Sequence, residues 1–403
     1  MRLYVSSIII IAFIVIIDWW FVRYVSRYKG RRARILYWFS IVSSAAYISF
    51  FTSIFLASPL TADVSGANFY DYFFWAITWN MIWYFPRFVL MVLTFLAFLS
   101  GLISTKFKTK VFRPFNNVFI IIVISLGLYG FFIGRSLLIE RSFTVENKQL
   151  PASFNNYRIV QLSDMHLGTM ANSKDRWLRF VDKINKLNPD LIVFTGDLVN
   201  NFWTETLGWD SVFSRLHAND GKIAIMGNHD YGDYIPWTTQ YDKVMNHTKV
   251  KSFLFKNGFQ ILDNEHVSLV KNNDTLLVVG VENWGHPPFP KYGNLSKALQ
   301  ETGNLPIVLL THDPDHWEGE VLDVNQNIFL TLTGHTHGFQ VGMRTKWLTF
   351  SPAAWRYKYW GGMYQVGDKN LYVNTGAGFI AFKGRIGMWP EVAIFDLKAT
   401  STD

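Results

Sequence analysis

Arg158-Ile159-Val160-Gln161-Leu162-Ser163 is a short, mostly apolar run that stops at Asp164-Met165-His166. The same pattern recurs four times downstream. Leu191-Ile192-Val193-Phe194-Thr195 stops at Gly196-Asp197, and Ile223-Ala224-Ile225-Met226 at Gly227-Asn228-His229-Asp230. Ile307-Val308-Leu309-Leu310 stops at Thr311-His312, and Ile328-Phe329-Leu330-Thr331-Leu332 runs on to Gly334-His335-Thr336-His337. Apolar runs of this length, bounded by turns, suit strands of an α/β sheet buried on both faces. Such sheets collect ligand groups at the carboxyl ends of their strands. Between the runs, 172–187 carries Trp177, Phe180, Val181, Ile184 and Leu187 at helical spacing and closes at Asn188-Pro189, so it predicts a helix. Residues 266–281 read as a hairpin turned by Asn272-Asn273-Asp274.

In order, the polar clusters read D-x-H, GD, GNHD, H and GHTH. One such element is a weak signal, whereas five in sequence, each ending a strand-like run, are a strong one. The ordered set resembles the calcineurin-like metallophosphoesterase superfamily, from about residue 157 to the end of the chain. The closing stretch 371–378, with Arg385 and Pro390-Glu391-Val392, is similar to the YkuE-like branch, many of whose members are membrane-attached. The resemblance implies a four-layer α-β-β-α sandwich holding two divalent cations. It implies that Asp197 bridges them, that Asp164, His166 and His337 complete one ligand set, and that Asn228, His312 and His335 complete the other. It further implies in-line attack on phosphorus by a hydroxide between the metals, with His229 protonating the leaving oxygen and Asp230 orienting that imidazole. Two-metal chemistry suits this reaction, since it supplies a nucleophile at neutral pH and neutralises charge on the phosphoryl oxygens.

Some positions stay open on the residues alone. His316 and His286 compete with His312, which is favoured because it directly follows a strand-like run. His217, His247, His266 and His286 are read as structural. Asn200-Asn201, three and four residues after Asp197, departs from the Asp-Arg of the Ser/Thr phosphatases and from the iron-binding Tyr of purple acid phosphatases, so neither branch is expected. Phe339 stands where relatives often have a second glycine. The donors are nitrogen and oxygen without sulfur, which suits Mn²⁺, Zn²⁺ or iron, Mn²⁺ being the first expectation. Trp347, Phe350, Trp355, Arg356, Tyr357, Lys358, Tyr359 and Trp360 crowd together after the last ligand. They either meet a membrane interface or lipid-linked substrate, or pack beneath the site.

The first third of the chain has a different composition. Stretches 3–25, 36–57, 69–104 and 115–134 are apolar and near the ~20 residues needed to cross a hydrocarbon core. The third contains Asn80, Pro86 and Arg87 and reads as one long helix, tilted or kinked, with an aromatic first half. Asp18-Trp19-Trp20 replaces a small-residue cleavage site, so the first segment is expected to stay. Residues 140–156 read as a polar connector, which gives a helical region over 1–139 and a hydrolase domain over 157–403.

The formal net charge of +8 comes from two loops. Arg23, Arg27, Lys29, Arg31, Arg32 and Arg34 make one cluster; Lys106, Lys108, Lys110 and Arg113 make the other. Setting those ten aside leaves 28 of the 38 basic residues against 30 acidic ones. A nucleic-acid-binding face needs its cations on the folded domain, so no nucleic-acid partner is expected. The loop between the second and third stretches carries Asp63 and Asp71 and no Lys or Arg. The positive-inside rule then places both basic loops in the cytoplasm and the C-terminal domain on the extracytoplasmic side of the inner membrane. There is no cysteine, which excludes disulfides and thiolate ligands. The expected activity is hydrolysis of a phosphomonoester, phosphodiester or pyrophosphate of an envelope or lipid-linked compound. Alternatives are a UDP-diacylglucosamine-type nucleotide-lipid pyrophosphohydrolase and, from another class, an inactive membrane sensor that binds a phosphorylated ligand.

Overall fold

The computed structural model describes residues 2–26, 30–57, 64–103, 109–287, 289–345 and 347–400. Arg27, Lys29, Asp63, Lys106 and Lys108, part of the loop-charge reading, lie outside them. The chain divides into two compact units, a helical one ending at Phe132 and an α/β one beginning at Ile133.

The helical unit contains α1 (Arg2–Ser26), α2 (Arg31–Ala57), α3 (Val64–Trp79), α4 (Phe85–Ile103) and α5 (Thr109–Phe132). A π-helical turn, Asn80–Tyr84, joins α3 to α4, with the Phe85 N–H bonded to the Asn80 carbonyl. Pro86 has no N–H to give to the usual acceptor, and the wider turn absorbs that break without ending the helix. The expected long third segment is therefore continuous through Pro86. Arg87 is buried inside this unit, ion-paired with Asp18, 3.2 Å from the Ser40 hydroxyl and stacked over Phe21 and Trp83 at 4.3 Å. Ile16, Val42, Phe95 and Ile121 remain exposed. Among the described residues, Asp71–Leu99 and Asn117–Ser136 are long and apolar enough to cross a membrane.

Among the described residues the α/β unit contains fourteen strands. The first seven are β1 (Ile139–Asn147), β2 (Arg158–Leu162), β3 (Leu191–Phe194), β4 (Lys222–Ala224), β5 (Phe259–Ile261), β6 (Glu265–Lys271) and β7 (Asp274–Gly280). The rest are β8 (Ile307–Leu310), β9 (Ile328–Thr333), β10 (Met343–Arg344), β11 (Thr349–Phe350), β12 (Gly362–Val366), β13 (Lys369–Val373) and β14 (Glu391–Ala399). They build two mixed six-stranded sheets, ordered β1-β14-β2-β3-β4-β5 and β12-β13-β9-β8-β7-β6, and the small pair β10-β11. Ile159, Val193 and Ile223 of the first sheet pack with Val278, Val308 and Leu330 of the second in one buried cluster. The alternate residues Val160, Ile192 and Phe194 turn the other way, onto Trp177, Val181 and Ile184 of α6 (Lys174–Lys186) and onto Val250 and Leu254. Leu277, Leu309 and Leu371 likewise face Leu295, Ala298 and Trp317. Burial on both faces is why these strands read as unbroken apolar runs.

The expected hairpin is present, with β6 antiparallel to β7 and both turn asparagines, Asn272 and Asn273, at positive φ. The stretch 140–156 departs from its reading as a connector, because Ile139–Asn147 is a strand parallel to β14. Its residues alternate, with Phe143 and Val145 turned inward and Glu140, Ser142, Thr144 and Glu146 outward. Phe143 stacks on Phe395, with ring centroids 5.8 Å apart. A one-sided edge strand with polar outward residues has low average hydrophobicity, and that average hid it.

Candidate metal centre

Parallel strands β2, β3 and β4 of one sheet and β8 and β9 of the other deliver their following loops to one place. Backbone bonds lock the loops together: Asp164 N–H to Gly196 O (2.9 Å), His166 N–H to Asp197 O (3.2 Å) and Gly334 N–H to His312 O (3.0 Å). The buried Gln161 amide donates to Thr333 O at 2.8 Å and so ties one sheet to the other just beneath. The result is two groups of donors. Asp164, His166 and His337 form one, and Asp197, His312 and His335 form the other, with ligand atoms inside each group no more than 4.8 Å apart. His166 Nε2 and His337 Nε2 are 3.0 Å apart, and His337 Nε2 is 3.3 Å from Asp164 Oδ1. Asp197 Oδ2 lies between the groups, 3.2 Å from His312 Nε2 and 3.7 Å from His166 Nε2. Asn228 joins the second group, its Oδ1 being 2.8 Å from His335 Nδ1.

The backbone is strained here. Asp164, His166, Asp197, His335 and His337 all have φ between 48° and 74°, a region that non-glycine residues seldom occupy. Strain of ~1–3 kcal/mol per residue persists only where the surroundings over-determine it, typically at functional sites. The adjoining glycines make room. A Cβ on Gly334 would sit 2.2 Å from Asp164 Oδ2, and one on Gly227 2.3 Å from Asp197 Oδ1.

The donors fit metal ions. His312 donates Nδ1–H to the Thr195 carbonyl at 2.7 Å, which leaves its buried Nε2 without a hydrogen-bond partner beside Asp197. His335 has Nε2 at 3.1 Å from the Tyr357 hydroxyl, which leaves Nδ1 turned to Asn228 Oδ1 in the donor group. Such outer contacts orient ligating imidazoles. Burial holds His166 down to about 3 and His335 to about 4, and it holds His337 well below the usual histidine range with help from His166 and Arg385. Neutral imidazole is the ligating form. Burial opposes the charge on His312, but Asp197 overrides it and pushes that imidazole up to about 10. Asp164 is raised to about 7 by burial. Two buried carboxylates beside crowded imidazoles are the electrostatic arrangement that cations relieve.

His229 is half-buried at the edge of this cluster. Its backbone N–H donates to Asp197 Oδ1 at 2.9 Å, its Nδ1–H to the Asn200 carbonyl at 2.7 Å, and its ring stacks on Tyr234 at 4.3 Å. Nε2 is therefore the nitrogen left for chemistry. Asp230 does not orient that imidazole, contrary to expectation. Its Oδ2 accepts the N–H groups of Asp197 and Gly227 at 2.9 Å each, and its Oδ1 accepts those of Leu198 (2.8 Å) and Val199 (3.2 Å). Burial pushes this carboxyl up to about 7, yet only the ionised form satisfies four donors with both oxygens. The partner of the imidazole is a main-chain oxygen, and no side-chain pattern advertises that.

His316 uses one nitrogen on Thr311 (2.8 Å) and the other on Glu320 (3.2 Å), so it does not join the donors; His286 faces Asp313 and Asp315 instead. Two contributors went unread in the sequence. Glu205 is half-buried and gathers the N–H groups of Gly168, Asn200, Asn201 and Phe202, which fixes the loop after Asp197. Tyr234 accepts the Asn228 amide at 2.6 Å, leaving Asn228 Oδ1 turned to His335. Neither residue sits in a motif, so no local signal marks it. Phe339 has φ 49°, the left-handed conformation in which glycine is at ease.

A family model described as calcineurin-like phosphoesterase matches residues 157–339. The metallophosphoesterase YkuE of Bacillus subtilis is 30% identical over 282 residues, 68% of this chain and 91% of YkuE. A transmembrane protein with metallophosphoesterase domain from Danio rerio is 30% identical over 262 residues, 62% of this chain; the chain spans only 55% of that relative's length. The UDP-2,3-diacylglucosamine pyrophosphatase LpxG of Chlamydia trachomatis is 29% identical over 242 residues, 49% of this chain and 69% of LpxG. The relatives named as transmembrane proteins, with the two long apolar helices, point to membrane association. Its ordered donor loops and these likenesses together make the chain a member of the calcineurin-like phosphoesterases, metal-dependent hydrolases of phosphoric esters.

Proposed function

We propose that this protein is a membrane-anchored phosphohydrolase with a two-metal centre, acting on an envelope or lipid-linked phosphoester. The observation that carries the proposal is Asp197 Oδ2, shared at 3.2 and 3.7 Å between imidazoles of two separate donor groups, as a bridging carboxylate requires. Asp164, His166, His337 and Asp197 would hold one divalent ion; Asp197, Asn228, His312 and His335 would hold the other, with Mn²⁺ the first candidate. Bound there, the pair supplies a nucleophile at neutral pH and charge neutralisation on the phosphoryl group. With Nδ1–H committed to the Asn200 carbonyl, His229 would present Nε2 to the leaving oxygen and, as the imidazolium, give it the Nε2 proton, returning to the neutral ring. Asp230 and Glu205 hold the loops that fix those distances. In this reading the catalytic unit forms a four-layer α-β-β-α arrangement. Four membrane-spanning helices precede it, with the basic loops cytoplasmic and the catalytic unit outside.

The test is hydrolysis of p-nitrophenyl phosphate and its bis ester by the full chain in detergent, with Mn²⁺ and with chelator. Metal-dependent turnover that Asp197→Ala abolishes is expected. Turnover of neither ester, with Asp197→Ala indistinguishable, would favour the phosphate-binding sensor instead. A second reading, pyrophosphate hydrolysis on a nucleotide-linked lipid, draws on the 29% identity with LpxG. Such a substrate is cytosolic, so a C-terminal reporter active only in the cytoplasm would favour it and overturn the outside orientation.

A further inference from the structure

The hairpin β10–β11 is built the wrong way round for water. An antiparallel pair with one solvated face ordinarily turns its polar residues outward. Here Arg344 points in, donating to Glu391 at 2.8 Å and to the Tyr372 hydroxyl at 3.4 Å. The cross-strand pair Met343 and Phe350 is left about half exposed. The Thr345 hydroxyl accepts the N–H groups of Trp347 (3.3 Å) and Leu348 (3.0 Å), and Thr345 N–H donates to Leu348 O at 2.9 Å. Trp347 is 89% exposed and Trp355, in the turn that follows, 82%. Phe339 adds a fourth exposed ring, held at positive φ, a conformation a bulky residue keeps only at a cost.

This apolar surface is continuous with the rim of the metal centre. The Ser351 hydroxyl donates to Gly338 O at 2.6 Å, one residue past His337, and Tyr357 reaches His335 Nε2 at 3.1 Å. The Phe339 and Tyr357 rings meet edge to face at 6.3 Å. At its border, Arg356 and Lys358 are more than half exposed, each beside one acid, Asp315 and Glu318. Indoles flanked by cations are the composition that partitions to the headgroup layer of an anionic membrane.

We infer that β10–β11, the Trp355 turn and Phe339 form a docking surface that rests in the headgroup layer of a lipid bilayer and sets the metal centre at the depth of a lipid phosphate. The substrate is then a phosphoester carried by a membrane lipid, presented from the bilayer rather than from water. This rests on the membrane-anchored hydrolase reading, in which the apolar helices tether the catalytic unit to a bilayer.

The absence of cysteine makes the test direct. Leu348→Cys, and separately Trp355→Cys, are made in the full chain, labelled with an environment-sensitive fluorophore and reconstituted into vesicles of phosphatidylethanolamine with a minority of phosphatidylglycerol. Val270→Cys is the reference: it is exposed and pairs with Thr275 at the start of β7, the end of that sheet away from the donors. Blue-shifted emission at 348 and 355, largely lost when nitroxide-bearing lipid is included, with the label at 270 unaffected, is the expected result. Emission at 348 and 355 as red-shifted and unquenched as at 270 overturns the docking surface. Metal-dependent hydrolysis of the bis-p-nitrophenyl ester, measured on the same vesicles, reports on the hydrolase reading separately.

Discussion

Asp230→Asn is the change that most directly probes how this centre is assembled. The side chain keeps its shape but exchanges one acceptor oxygen for a donor. Four backbone N–H groups converge on the carboxylate, two on each oxygen, from the loop holding Asp197 and from Gly227. Whichever way the amide faces, two of those donors meet another donor. An orphaned buried N–H costs about 1–3 kcal/mol, so the substitution should destabilise by roughly 2–6 kcal/mol. At about 2.1 cal/mol/K of unfolding entropy per residue, a unit running from Ile133 to Asp403 then loses roughly 4–11 °C of melting midpoint. The loss should fall on metal binding too, because the same bonds set the spacing between Asp197 and Asn228. Thermal unfolding of the full chain in detergent, with and without Mn²⁺, measures the first effect, and Mn²⁺ titration of activity measures the second. Residual turnover should keep the wild-type pH profile, since Asp230 does not touch the His229 ring. A variant with unchanged midpoint and metal dependence would refute this account, and one with only its pH profile displaced would restore the orienting role expected from sequence.

His229→Ala should lower kcat by about 10²–10⁴-fold with little change in KM, and the loss should shrink for esters with good leaving groups; an equal loss for all leaving groups would remove it as the proton donor. Chelated protein should be less stable in mild acid. Burial holds His166 to about 3 and His335 and His247 to about 4 in the folded chain. The unfolded chain binds protons below ~6.5, so this stability is complete above that pH and declines as pH falls toward ~4. Urea midpoints of the metal-free protein that match at both ends of that window would contradict it. Arg87→Ala strands the Asp18 charge inside the helical unit and should cost about 3–5 kcal/mol, with much of it recovered when Asp18→Asn is added; the monodisperse fraction after detergent extraction reports both.

Much of the site was legible from residues alone because its signal is local. Each donor directly follows a strand, and a strand buried on both faces announces itself as an unbroken apolar run. The order of D-x-H, GD, GNHD, H and GHTH therefore carried the fold class, the hydrolase chemistry and all seven proposed metal-binding side chains. The Asn272-Asn273 hairpin and the 174–186 helix were legible for the same reason, since turn chemistry and helical period act over a few residues.

What the tertiary structure alone decided lies in contacts between residues far apart in sequence. Glu205 and Tyr234 support the centre from outside any motif, and Asp230 turned out to bind main chain, because hydrogen-bond partners are set by packing and not by neighbours. The strand at 139–147 was hidden because only its pairing with β14 gives the inward residues a core to face. The inverted face of β10–β11 was equally unreadable, since two residues per strand show no period until the fold says which side is solvent.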